Sequence, residues 1–199
     1  MKSAAKTDVS IGYEVDGRRL DALVEDACAA DETFREHSRN VAAISVRVGR
    51  ELGLSARELR LLELAAEVHD LGKLVVPAEI ITKPGALDER EWKAMRRHPA
   101  AGAELLAPCD APAEVLAIVR SHHERWDGAG YPDGLRGPEI PLGARILAVA
   151  DAYCAMIEAR PYRTSRRPAA ARAELLAQAG RQFDAACAHA ACRVTAGAR

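Results

Sequence analysis

The sequence predicts an all-α fold, a helical bundle carrying one long glycine- and proline-rich loop. Three observations lead there. Apolar residues recur at helical rather than alternating spacing along most of the 199 residues. No convincing strand pattern and no internal repeat is present. Turn-forming residues concentrate in one stretch, 125–141, which holds Gly128, Gly130, Gly134, Gly137, Pro132, Pro138 and Pro141.

The elements follow in order. Residues 1–30 are read as an N-terminal helical extension. From Thr33 to Leu54, the residues His37, Val41, Ile44, Val48 and Leu52 form one apolar stripe on one helix, and Gly53 ends it. Ser55 with Glu58 is a capping box that opens the next helix, whose core face is Leu61, Leu64 or Ala65, and Val68. Leu71-Gly72 is its expected stop. The stretch from Leu74 to Ile81 is apolar but broken by Pro77, so a short connector is expected. Asp88 with Glu91 marks a third start, running to about Arg97, and Pro99 begins a further helical turn. Ala113 to Glu124 is amphipathic through Val115, Ile118 or Val119, and His122. Leu142 to Glu158 is apolar nearly all round and is expected to be the central buried helix. Ala169–Gly180 and Asp184–Cys192 read as alanine-rich helices, with the last few residues frayed.

Composition narrows the function classes. Apolar residues make up 49%, charged residues 29% and aromatic residues 4%, which excludes disordered, collagen-like and coiled-coil chains. With 28 basic against 29 acidic residues the net charge is -1, so a broad basic surface for duplex DNA or RNA is not expected. The longest apolar stretch, Ile146 to Ile157, is too short to span a bilayer and is interrupted by Asp151. Residues 1–10 lack the apolar core of a signal peptide. Cys28, Cys109, Cys154, Cys187 and Cys192 have no short paired spacing, which suits free thiols in the cytoplasm better than a disulfide frame or a thiolate zinc site.

The chemistry-bearing residues are His37, His69-Asp70, His98, His122-His123 and Asp151. Each has a structural alternative when taken alone. Asp151 in an apolar helix needs a partner, which could be an arginine, a lysine, a cap or a metal. His69-Asp70 closes a helix, where a histidine is helped by the helix dipole. His37 and His122 extend apolar stripes, as hydrogen-bonded core histidines do. His98 precedes a proline and alone says nothing. Taken together, five histidines and two aspartates fall where all could face one bundle interior. Nitrogen and oxygen donors without thiolates suit Mn, Fe, Co, Ni or Zn. Seven ligands exceed one tetrahedral ion and fit two octahedral ions with waters, the arrangement that clamps an in-line displacement at phosphorus.

The ordered motifs carry a resemblance. Glu36-His37-Ser38-Arg39, His69-Asp70-Leu71-Gly72-Lys73, Ile81-Thr82-Lys83-Pro84-Gly85 and His98-Pro99 come first. His122-His123-Glu124-Arg125-Trp126-Asp127-Gly128-Ala129-Gly130-Tyr131-Pro132, the stretch from Ile140 through Asp151 to Tyr153, and Arg160-Pro161-Tyr162-Arg163 follow. Between about Asp31 and Arg163 the chain resembles the HD-GYP domains, HD-type metal phosphohydrolases associated with cyclic di-GMP hydrolysis. The resemblance implies an HD-domain helical bundle with its catalytic core at 31–165 and the C-terminal helices of 166–199 packing on the same domain. It implies that His37, His69, Asp70 and Asp151 hold one metal, with Asp70 bridging to a second held by His98, His122 and His123. Two ions are expected, Fe or Mn first, with Ni, Co or Zn also suited. Asp70 and Lys73 take the catalytic roles, Lys73 reaching the scissile phosphate. Tyr131, Arg160 and Arg163 hold the dinucleotide. A hydroxide activated by both metals is implied to open cyclic di-GMP to pGpG, with GMP as a further product.

Two positions depart from the family pattern. Thr33 stands where some members carry a glutamate that holds a third metal, with Glu32 one residue off register. Cys154 stands where many carry an aspartate able to pair with the lysine. Two other readings stand beside the enzyme: a catalytically weak module that senses a cyclic dinucleotide or docks a partner such as a diguanylate cyclase, and a phosphohydrolase for another nucleotide. The stretch from Trp126 to Gly134 is expected to be a lid or a docking surface. No receiver, sensory or membrane segment is recognised in the sequence, so regulation is expected from a separate chain.

Overall fold

The computed structural model describes residues 16–158 and 165–197. They form helices α1 (Gly17–Ala30), α2 (Phe34–Glu51), α3 (Ala56–Val68), α4 (Ala78–Ile81), α5 (Glu89–Met95), α6 (His98–Leu106), α7 (Ala113–Ser121), α8 (Leu142–Ile157), α9 (Pro168–Ala177) and α10 (Ala185–Ala196). Among the described residues there is no strand, only an isolated bridge between Ala179 and Phe183.

Local chemistry sets the helix ends. At the end of α2, the Leu54 amide donates to the Gly49 carbonyl and the Gly53 amide to that of Arg50, with Gly53 at φ +82°. This pair of bonds needs a left-handed residue, which glycine supplies without a Cβ clash. The Ser55–Glu58 box then starts α3, and the Asp88–Glu91 box starts α5. The result is an α2–α3 hairpin that turns within four residues.

α8 is the hub. It packs against α2, α3, α7, α9 and α10, and its Ala144, Ile146, Leu147, Val149 and Ala150 are fully buried. They meet Val41 and Val48 of α2, Leu62 and Ala65 of α3, and Val115 and Val119 of α7 in one core. Fully burying a branched side chain of this size is worth roughly 1.5–3 kcal/mol, so these contacts determine which end of each helix faces its neighbour.

Several expectations are corrected. The connector at 74–81 is a 3-10 turn over Leu71–Val75 followed by the one-turn helix α4. Pro77 sets its start at φ -53°, and the Thr82 hydroxyl donates back to the Ala78 carbonyl. The tail is helical to Ala196 because Thr195 is buried and its carbonyl accepts from Arg172 of α9. The helix expected over 113–124 stops at Ser121, leaving His122 and His123 on the exit turn. The long loop contains a 3-10 turn at Gly137–Glu139.

Candidate metal centre

Helix ends deliver most of the site. The last carbonyls of a helix have no partner within it. Here three histidines supply one. His69 Nδ1 lies 2.8 Å from the Ala66 carbonyl, His98 Nδ1 2.8 Å from that of Met95, and His122 Nδ1 2.6 Å from that of Val119. A carbonyl oxygen can only accept, so each Nδ1 carries the proton and each Nε2 presents a lone pair. Hydrogen bonding that costs the fold nothing therefore aims three imidazole nitrogens inward.

His37 has to solve the problem differently. It lies in the body of α2, where the preceding carbonyls belong to the helix. Its Nδ1 instead faces Glu158 Oε2 at 2.7 Å, and Glu158 Oε1 accepts from the Asn40 side-chain amide at 3.0 Å. Its Nε2 lies 3.1 Å from Asp151 Oδ1.

His69 and Asp70 converge because the chain leaves α3 between them. His69 retains helical angles, while Asp70 at φ -95°, ψ 2° opens the 3-10 turn. One Asp70 oxygen lies 3.5 Å from His69 Nε2 and the other 3.5 Å from His98 Nε2. Asp151 Oδ1 is 3.9 Å from His69 Nε2. His98, His122 and His123 form one ligand-type cluster, and His37, His69 and Asp70 form another. Asp70 thus stands between the two, and Asp151 closes the His37 side.

The donor set fits metal ions. His98 Nε2 and His122 Nε2 face each other at 3.3 Å. Burial lowers the pKa of both rings, so they are neutral, and two lone pairs at that distance repel without a cation near them. Burial also pushes His123 down to about 4. His69 Nε2 is buried with no hydrogen-bond partner. Burial opposes the charge on Asp70, but the Lys73 ammonium beside it outweighs this and keeps the carboxyl well below the usual carboxylate range. Asp151 is lowered too, against burial, chiefly by its hydrogen bond with His37. Anionic oxygens and neutral imidazoles are the forms that ligate.

Lys73 Nζ donates to Asp70 Oδ2 at 2.5 Å. The lysine thus has a carboxylate partner on its own turn although Cys154 is no aspartate. Cys154 is fully buried, and burial raises its thiol pKa, so it contributes no charge. Thr33 donates its hydroxyl to Asp31, and Glu32 is exposed and belongs to neither cluster. Tyr131 stacks on His123, ring centres 5.0 Å apart and planes at 24°. Arg160 and Arg163 lie outside the described residues.

The glycine-rich loop is pinned. Glu124 Oε1 accepts from the amides of Asp133 and Gly134, and Arg120 grips Asp133 through two 2.7 Å bonds. The amides of Trp126 and Asp127 donate to Gln182 and Arg181 at the α9–α10 turn. Sequence reasoning missed Glu158 and Asn40. Glu158 lies two helical turns beyond Asp151 and Asn40 about one turn beyond His37, so helical spacing alone could have drawn attention to both.

The sequence profile of the HD domain family matches residues 22–187. The chain belongs to the HD domain family. The motifs quoted above place this HD domain in the HD-GYP type, and its His and Asp clusters suit a metal-dependent family. It is 45% identical over 171 residues to the cyclic di-GMP phosphodiesterase response regulator RpfG of Xanthomonas campestris pv. campestris, an alignment covering 85% of this chain and 44% of that protein. It is 38% identical over 150 residues to 3'3'-cGAMP-specific phosphodiesterase 2 of Vibrio cholerae, covering 74% of this chain and 29% of that protein. The HD domain thus spans less than half the length of these curated relatives. Its fold is that of an HDG"Y"P protein from Bdellovibrio bacteriovorus, with a TM-score of 0.70 at 21% identity over 92% of this chain and 61% of that one. No helix among the described residues is long and apolar enough to cross a membrane.

Proposed function

We propose that this HD domain is a metal-dependent phosphodiesterase that hydrolyses cyclic di-GMP to pGpG, and onward to GMP, at a dinuclear centre. The observation that carries the reading is the position of Asp70, one oxygen facing His69 and the other facing His98, between two clusters of inward-aimed imidazoles. His37, His69, Asp70 and Asp151 would hold one ion, and His98, His122, His123 and the second oxygen of Asp70 the other. Fe or Mn suits this nitrogen and oxygen set, as Ni, Co or Zn also does. Bound there, divalent ions supply a water of lowered pKa and positive charge for the phosphoryl oxygens.

The chain's own residues do the rest. Water adds across the P–O3′ bond of one phosphodiester, leaving a 5′-phosphate and a 3′-hydroxyl. Lys73, on the turn that carries Asp70, places its ammonium where a non-bridging phosphate oxygen can meet it. Tyr131, flat against His123, borders the same cluster, and burial raises its pKa so that it remains a hydrogen-bond donor. Arg160 and Arg163 take the dinucleotide by the family resemblance. The relatives named for 3'3'-cGAMP support a second substrate of the same chemistry. The buried, uncharged Cys154 favours the sensing or docking alternative.

The test is turnover and metal content on one sample. Protein loaded anaerobically with Mn(II) or Fe(II) is expected to yield pGpG from cyclic di-GMP, followed by chromatography. Two ions present and no cleavage of cyclic di-GMP overturns the reading. Competition by 3'3'-cGAMP ranks the substrates.

Glu158 provides a second measurement. It fixes the His37 tautomer from outside the ligand set, and such partners are worth roughly 10–100-fold in metal affinity. Glu158→Ala is expected to release one of the two ions to a chelator at that much lower competitor concentration. Glu158→Gln keeps an acceptor oxygen and is expected to recover most of the affinity. Unchanged retention in Glu158→Ala would remove Glu158 from the account.

A further inference from the structure

A stacked ladder leads from the histidine clusters to the surface. Tyr131 lies on His123, and the Arg96 guanidinium carbon is 5.7 Å from the centre of the Tyr131 ring. The same carbon is 5.8 Å from the Trp92 ring. Trp92 and Arg96 are four residues apart at the end of α5, so they share a face, and the Arg96 amide donates to the Trp92 carbonyl at 2.9 Å. The sequence His123, Tyr131, Arg96, Trp92 thus passes from a buried imidazole cluster to an indole that is 45% exposed.

Arg96 differs from the paired arginines around the glycine-rich loop. Arg120 pairs with Asp133, Arg125 with Asp127, and Arg145 with Asp184. Among the described residues no carboxylate lies within ion-pair distance of Arg96. Its guanidinium lies within cation–π range of two aromatic rings instead, and the residue is exposed, so its N–H donors are accessible to a ligand. A fork of N–H donors beside an open indole is the chemistry that reads a purine: the fork matches guanine O6 and N7, and the indole gives the base a flat surface to stack on.

We infer that Arg96, held between Trp92 and Tyr131, is a specificity-determining residue that receives one guanine base of the substrate, with Trp92 as its stacking face. The inference rests on the cyclic dinucleotide reading above and adds to it the group that would tell guanine from adenine. A phosphate at the imidazole clusters would direct its nucleoside outward along the ladder.

The experiment compares cyclic di-GMP with bis(p-nitrophenyl) phosphate, which has the ester but no base, on metal-loaded protein. Arg96→Ala is expected to raise KM for cyclic di-GMP by about 10-fold or more, the scale of one lost bidentate base contact, with kcat within about 2-fold. Hydrolysis of bis(p-nitrophenyl) phosphate is expected to be unchanged. Arg96→Lys retains the charge without the fork and should not rescue. Trp92→Ala should also raise KM, and Trp92→Phe should restore it. Preference for cyclic di-GMP over cyclic di-AMP should shrink in Arg96→Ala. An unaltered KM, or an equal loss on the base-free ester, overturns the assignment. Wild-type protein that cleaves bis(p-nitrophenyl) phosphate but not cyclic di-GMP overturns the substrate reading and the base subsite with it. Wild-type turnover of cyclic di-GMP with no effect of Arg96→Ala overturns the subsite alone.

Discussion

Asp70→Ala is expected to abolish cyclic di-GMP turnover, lowering kcat by at least ~1,000-fold, equivalent to about 4 kcal/mol of transition-state stabilisation. Asp70 has one oxygen toward each cluster, 3.5 Å from His69 on one side and 3.5 Å from His98 on the other. Alanine removes both contacts and also the partner of Lys73 at 2.5 Å. The imidazoles then face a cavity next to an ammonium group, an environment that repels cations. Metal content is expected to fall from two ions per chain to one or none. Asp70→Asn preserves shape and loses the charge, so it separates the electrostatic loss from a packing loss. Metal analysis and a far-ultraviolet circular dichroism spectrum on the same preparations check both points. An Asp70→Ala protein that keeps two ions and turns over cyclic di-GMP would contradict the bridging assignment.

Gly72→Ala is expected to cause the largest loss of stability from a single methyl group. A Cβ at position 72 would lie 1.9 Å from the His98 carbonyl oxygen and 2.5 Å from the Gly102 amide nitrogen. Both are backbone atoms of α6, so no side chain can swing aside. The 3-10 turn after Asp70 must therefore move away from α6. Overpacking of this kind costs about 3 kcal/mol, which for a domain of this size lowers Tm by roughly 6–12 °C. The same displacement separates Asp70 from His98, so metal retention is expected to weaken along with stability. Gly17→Ala is the control: nothing lies within 4 Å of its Cβ, and it opens α1. Calorimetry of the two variants beside the wild type checks the contrast. A Gly72→Ala melt equal to that of Gly17→Ala would mean that the turn and α6 do not approach closely.

Helix boundaries were legible where short-range chemistry sets them. The Ser55–Glu58 and Asp88–Glu91 boxes and the Gly53 stop each involve residues within five positions of one another, and all three occur as read. Boundaries set by distant contacts were not. The end of α10 depends on Arg172, 23 residues from the Thr195 carbonyl. The exit of α7 stops at Ser121, where His122 takes the Val119 carbonyl instead of extending the helix.

The site divides along the same line. His37, His69, Asp70, His98, His122, His123 and Asp151 could be picked out because ligand types stand at ordered spacings. Arg96 could not, and spacing marks the position of Glu158 without revealing its partner. Glu158 meets His37 across 121 residues, and an arginine at a helix end is ordinarily a solvated charge unless an aromatic ring from another segment, here that of Tyr131, comes within reach.

What the sequence alone determined is a helical chain, the caps that begin and end its helices, and an inventory of imidazoles and carboxylates without thiolate partners. Periodicity and capping are local, so they survive without knowledge of the fold. Only the tertiary structure set the distances from one carboxylate to the two groups of histidines, and only it decided that a glutamate orients His37 and that the turn after Asp70 touches α6 through a glycine. Those are distances between segments brought together by burying a shared core around α8, and spacing along the chain does not encode them.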